Sequence, residues 1–226
     1  LPPGTTNPEG PIRNEPVGIH VSWIVKILPY IEERALFDHF DQAAGAYDPK
    51  NAEVRATEIS TLVCASYPGE VINEAESDAL TTYAGCYNDA EVPIDMDNDG
   101  LLFLNSKIRY SDIYDGSSKT ILVAEYLPEN DSLGWVSGTR ATLRNTSTLE
   151  GTYESWLRRK KEDAGEEPEA NRRDPLFVGG FGSAHSGVVN IGLADGSTRS
   201  LPKDTDATFR HQLGNRSDGE IMKESF

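Results

Sequence analysis

The chain has 226 residues, and its 21 Lys and Arg against 37 Asp and Glu leave a formal net charge of -16 at pH 7. A chain of this size is long enough to bury a sizeable core, and its charge excludes partners held by neutralising phosphates, nucleic acid first among them. Hydrophobic residues make up 37% beside 20 Gly and 13 Pro, the composition of a loop-rich folded protein, and no apolar run approaches the roughly eighteen residues of a membrane-spanning helix.

Residues 1–16 contain five prolines and are read as an extended surface arm. From Ser22, a candidate N-cap, to position 41 the periodicity predicts a helix. Ile31, Ala35, Leu36 and Phe40 share its apolar face, with Pro29 at the first turn or at a kink. Beyond 41, short runs separated by turn residues predict a β-rich region. The run 101–110 ends in β-type residues, Asp115-Gly116 signals a turn, residues 120–126 form the clearest strand, and 134–139 a plausible next one. Residues 158–174 hold six basic and six acidic side chains and almost nothing apolar, so they are read as a solvated, mobile loop between strands. Val188 to Leu193 and 198–201 flank Asp195-Gly196 and predict a hairpin closed by a two-residue turn. A short helix over 206–213, ended by Gly214, closes an α+β pattern read as one domain over 1–226.

Cys64 and Cys86 lie 22 positions apart with no second Cys or His at metal-ligand spacing beside either, so no local motif points to zinc. Two readings stay open: one disulfide in an oxidising compartment, or two buried free thiols. Asp95, Asp97 and Asp99 followed by Gly100 match the first half of a calcium loop, because a hard cation needs several converging oxygens and a glycine bend. Position twelve is Ser106 rather than Glu, which leaves either a calcium loop outside the EF-hand type or an acidic turn carrying only charge.

His185 has Ser183 and Ser186 nearby, yet neither lies in a Gly-x-Ser-x-Gly elbow and no spacing marks a base, an orienting acid and an oxyanion hole. The chain is therefore expected not to be an enzyme. Gly179, Gly180 and Gly182 allow a sharp backbone path, with His185 and Asp195 expected to bond nearby backbone or each other. His20, His39 and His211 are scattered and read as solvated or core residues. The triplets at Asn130, Asn145 and Asn215 fit the glycosylation pattern at chance frequency. Trp23, Trp135 and Trp156 with nine Tyr are either core or a carbohydrate-stacking platform.

Five blocks in order carry a family resemblance: residues 22–41, 82–85, 100–126, the segment around His185-x9-Asp195-Gly196, and 213–220. Together they resemble the planctomycete family of pilin-like, type II secretion pseudopilin-like proteins named for a C-terminal His-x9-Asp-Gly motif, also described as solute-binding-like. Cys64-Ala-Ser-Tyr67 departs from the Cys-Pro-Ser-Asp often found there. The resemblance implies a pilin-like head in which an N-terminal helix packs on an antiparallel sheet. It also implies a leader and an apolar anchoring helix ahead of residue 1, through which alone the protein would meet a membrane. The expected role is structural, at the cell surface, in the periplasm or outside the cell, with self-association or other pilin-like subunits as partners and calcium as the one candidate cofactor. The alternative is an extracellular solute- or carbohydrate-binding module.

Overall fold

A computed structural model describes residues 1–73, 78–128, 131–150 and 174–220. Two short strands, β1 (Thr5–Thr6) and β2 (Val21–Ser22), pair antiparallel and lead into α1 (Trp23–Ile27). The short helices α2 (Arg34–His39) and α3 (Ala52–Arg55) follow, then the two-stranded ribbon of β3 (Ile72–Asn73) and β4 (Asp78–Ala79). The main sheet comprises β5 (Tyr83–Asn88), β6 (Ile121–Glu125), β7 (Leu143–Glu150), β8 (Gly180–Gly182), β9 (Val188–Leu193) and β10 (Thr198–Pro202). Its order is β10-β9-β6-β5-β7-β8, and α4 (Ala207–Gly214) follows the last strand.

The α+β class holds, but the sheet is mixed. Pairing is antiparallel from β10 through β5, then β7 joins β5, and β8 joins β7, in parallel. The long N-terminal helix divides in three. Ser22 does not cap it, because its hydroxyl donates to the Trp135 carbonyl at 2.7 Å while its backbone pairs with Thr5. Pro29, which has no N–H to give, sits in a 3₁₀ turn at Leu28–Tyr30, and Glu32 at φ 67° breaks the helical path before α2.

The proline-rich arm is stitched into the body rather than lying on it. Gly4 N donates to the Phe103 carbonyl at 2.9 Å, Ile12 N to Ile94 O at 2.9 Å, and Asn105 N returns to Thr5 O at 2.8 Å. Residues 101–104 are fully buried yet form no strand: their main-chain groups go to the Cys86 carbonyl and the N-terminal arm. Trp135 and Val136 are likewise buried in a turn, where Trp135 N reaches Ala79 O and Val136 O accepts from Ser22 N.

Alternate residues of β5 serve the two faces of the sheet, as pleating requires. Ala84 and Cys86 join Ile121, Ala124, Phe181, Ile191, Phe209 and Leu213 beneath α4. Tyr87 joins Trp23, Leu28, Leu102, Leu104 and Trp135 on the face covered by the N-terminal half. The hairpin lies where expected with a different turn: Gly196 N bonds Leu193 O at 2.9 Å, Leu193 N bonds Ser197 O at 2.8 Å, and Gly196 takes φ 85°. That pattern is a type I turn followed by a glycine bulge, a three-residue loop in which only Gly196 needs positive φ. Of the charged loop read over 158–174, all but Asp174 lies outside the described residues, as does Trp156.

Candidate functional site

Strand β6 reads Ile-Leu-Val-Ala-Glu, and its last residue, Glu125, is only 3% exposed. A buried carboxylate is costly unless its lone pairs are filled, and here they are. Oε2 accepts from Ser183 Oγ at 2.8 Å and from Asn190 N at 2.9 Å, while Oε1 faces Asn190 Nδ2 at 3.2 Å and His185 Nε2 at 3.1 Å. Burial alone would raise the pKa of Glu125, but the donors from Asn190, Ser183 and Cys64 outweigh it and hold the carboxyl below the ordinary range.

Three loops carry the remaining groups to this strand end. Ser183 and His185 lie between β8 and β9, where His185 N donates to Ser183 Oγ at 3.0 Å. Lys203, just beyond β10, donates to the carbonyls of Ser183 and His185 at 2.9 Å each and so fixes the path of that loop. Cys64 follows the 3₁₀ turn at Ser60–Leu62 and is anchored by its N–H to Thr82 Oγ1 at 2.6 Å. Its sulfur lies 3.6 Å from His185 Nε2. A cavity of about 10 Å³ lined by Cys64, Tyr67, Thr82, Glu125 and Ser183 borders the cluster, room for about one water.

One ring nitrogen of His185 faces both Glu125 and Cys64. A nucleophile relay needs the histidine to bridge through its two different nitrogens, the thiol on one and the acid on the other. The arrangement here is a convergence of a thiol, an imidazole and a carboxylate on one point. Among the described residues these are the only three or more His, Cys, Asp or Glu side chains whose ligand atoms approach one another, all within 4.8 Å.

The predicted site residues fare differently. Cys64 and Cys86 are both free thiols, which corrects the disulfide. Cys86 is enclosed in the core under α4, its sulfur directed at the carbonyls of Asn88 and Gly214, whereas the Cys64 sulfur points to His185. Asp95, Asp97 and Asp99 do not meet. Asp97 and Asp99 are exposed, Asp95 Oδ1 accepts from Met96 N at 2.8 Å, and buried Asn98 organises the turn by accepting from Asp95 N at 2.7 Å. The main-chain oxygens of that turn are engaged by Arg216, which donates to Asn98 O at 2.7 Å and Gly100 O at 2.9 Å.

His185 precedes β9 and Asp195-Gly196 follows it, so the two do not bond each other. Asp195 Oδ1 instead accepts from Ser197 N at 2.8 Å and Ser197 Oγ at 2.6 Å. Trp23 and Trp135 are core side chains whose indole N–H groups donate to Thr142 O and Thr57 O, so neither is free to stack on a sugar. Glu125 escaped sequence reasoning. Its one signal is that it is the sole charged side chain in the otherwise apolar run 121–127.

A family profile described as SBP_bac_10, Protein of unknown function (DUF1559), matches residues 1–208. The chain belongs to the DUF1559 family. The DUF1559 match takes in every strand, the start of α4, and Cys64, Glu125 and His185 together. No curated protein and no solved structure matches the chain.

Proposed function

We propose that this DUF1559 chain is the non-enzymatic head of a pilin-like or pseudopilin-like subunit, working outside the cytoplasm in a surface filament or a type II secretion-type assembly. The observation that carries the reading is the placement of the His185-x9-Asp195-Gly196 motif along a single strand. The motif brackets β9: its histidine ties the entering loop to Glu125 of the neighbouring strand, and its Asp-Gly closes the turn into β10. Both ends do structural work about six residues of extended chain apart, some 20 Å, so they cannot act on one substrate atom. A motif spent on holding a hairpin in register suits a head whose task is to present a rigid surface to copies of itself or to related subunits.

The test is cell fractionation with the full gene product, including whatever precedes residue 1. Shearing the cells and sedimenting surface polymers is expected to bring the protein down with them, or with secretion-complex components. Recovery only as a freely diffusing protein in the periplasm or medium overturns the reading.

A further inference from the structure

We propose that Cys64, Glu125 and His185 form a binding site for one divalent metal ion of zinc's type, with a water as fourth ligand. The inference is independent of the assembly role and rests on three observations.

The first is the donor set. A thiolate, an imidazole nitrogen and a carboxylate oxygen are zinc's usual protein ligands, and a thiolate is a poor ligand for calcium or magnesium. The second is distance. Zinc bound tetrahedrally with Zn–S of about 2.3 Å and Zn–N and Zn–O of about 2.0 to 2.1 Å sets an S···N edge of about 3.6 Å and an N···O edge of about 3.3 Å. Cys64 Sγ to His185 Nε2 is 3.6 Å, and His185 Nε2 to Glu125 Oε1 is 3.1 Å. These two edges thus match a zinc tetrahedron to within a few tenths of an ångström, and all three ligand atoms lie within 4.8 Å of one another. On binding, the thiol proton leaves to solvent and the imidazole ligates through Nε2 as a neutral ring with its proton on Nδ1.

The third observation is what surrounds the ligands. Ser183 Oγ and Asn190 N occupy Glu125 Oε2, while Oε1 faces the histidine and takes Asn190 Nδ2 at 3.2 Å as its own orienting donor. Ligand-orienting hydrogen bonds of this kind are what an outer shell supplies at metal sites. Lys203 holds the His185 loop through main-chain carbonyls, and Thr82 holds Cys64 through its N–H. Cys64 and His185 are only partly buried, so the ion has an entry path, and the adjacent water-sized cavity bordered by Cys64 and Glu125 takes the fourth ligand. With two anionic ligands, zinc makes a neutral centre that the low dielectric of this pocket tolerates. It cross-links the loop after Leu62, the end of β6 and the loop before β9, three segments joined in the metal-free state by hydrogen bonds.

The test uses the whole chain, reduced and freed of metal, with zinc alone and cobalt(II) alone as probes. Competition against a chromogenic chelator is expected to show one tight zinc per chain, weakened more than a hundredfold by Cys64→Ser and by His185→Gln and unchanged by Asp97→Asn. Cobalt(II) is expected to give the intense d–d bands of a four-coordinate ion with a thiolate charge-transfer band that Cys64→Ser abolishes. Should a variant fold poorly, the wild type alone decides: its melting temperature is expected to rise with equimolar zinc. Equal affinity in Cys64→Ser, a cobalt spectrum without the charge-transfer band, or an unmoved melting temperature each overturns the site.

Discussion

His185 Nε2 lies 3.1 Å from Glu125 Oε1, joining residues 60 positions apart at the point where β6 ends and β9 is about to begin. Glu125 collects donors from every side, and an amide in its place turns one acceptor into a donor facing other donors. Glu125→Gln is therefore expected to cost about 2 to 4 kcal/mol in urea-induced unfolding, and Ser183→Ala about 1 to 2 kcal/mol. A stability for Glu125→Gln within error of the wild type would refute this account of the site.

Two buried side chains, His20 and Glu125, make stability fall with acid, in two windows. Burial depresses His20 to about 4, so the folded chain keeps it neutral while the unfolded chain protonates it near its ordinary value of about 6.5. The unfolded state then binds more protons as pH drops from 6.5 toward 4, and the stability lost there reaches about 3 kcal/mol. Glu125 is also depressed in the folded state, so its contribution is present above the ordinary carboxyl range and disappears as pH falls through its folded value. His20→Asn, which suits the φ of 39° at that position, is expected to flatten the upper window and leave the lower one. Denaturant titrations at stepped pH read both.

Thiol reactivity separates the two cysteines. Burial pushes the Cys86 thiol up and leaves no path to it, while Cys64 is partly open beside His185. A thiol reagent is expected to label one cysteine in the native protein and both after unfolding, with bound zinc protecting Cys64. Mass spectrometry of an unreduced digest finding a Cys64–Cys86 peptide pair would contradict the fold around β5.

Two glycines are expected to fail for different reasons. Gly196 has φ 85° and open space where a side chain would go, so Gly196→Ala costs about 1 kcal/mol through backbone strain alone. Gly180 has its would-be Cβ against the Thr148 carbonyl, so Gly180→Ala must push β8 off β7 and costs about 2 kcal/mol or more. Chemical denaturation of the pair checks the ranking, and a larger loss at Gly196 would contradict the strand packing.

What the sequence determined by itself lies in segments whose signal is local. Residues 121–125, 188–193 and 198–202 are apolar or alternating enough to announce strands, Asp195-Gly196 announces the turn, and Asp206 caps α4 by accepting from Thr208 N at 2.8 Å. Tertiary structure decided the rest, because the forces there act between distant residues. Strand β7, Leu-Arg-Asn-Thr-Ser-Thr-Leu-Glu, has no apolar alternation. It is held inside the sheet by partners such as Glu91, which accepts from Asn145, and Arg210, which donates to the Thr146 and Ser147 carbonyls. The run 101–104 is apolar enough for a strand, yet neighbours drawn from the arm and β5 claim its main chain. The candidate site is the extreme case: Cys64 and His185 are 121 positions apart, with no ligand beside either in sequence. Only the pairing of β6 with β9, and the packing of the Cys64 turn against Thr81 and Thr82, brings three chemically suited atoms to one point.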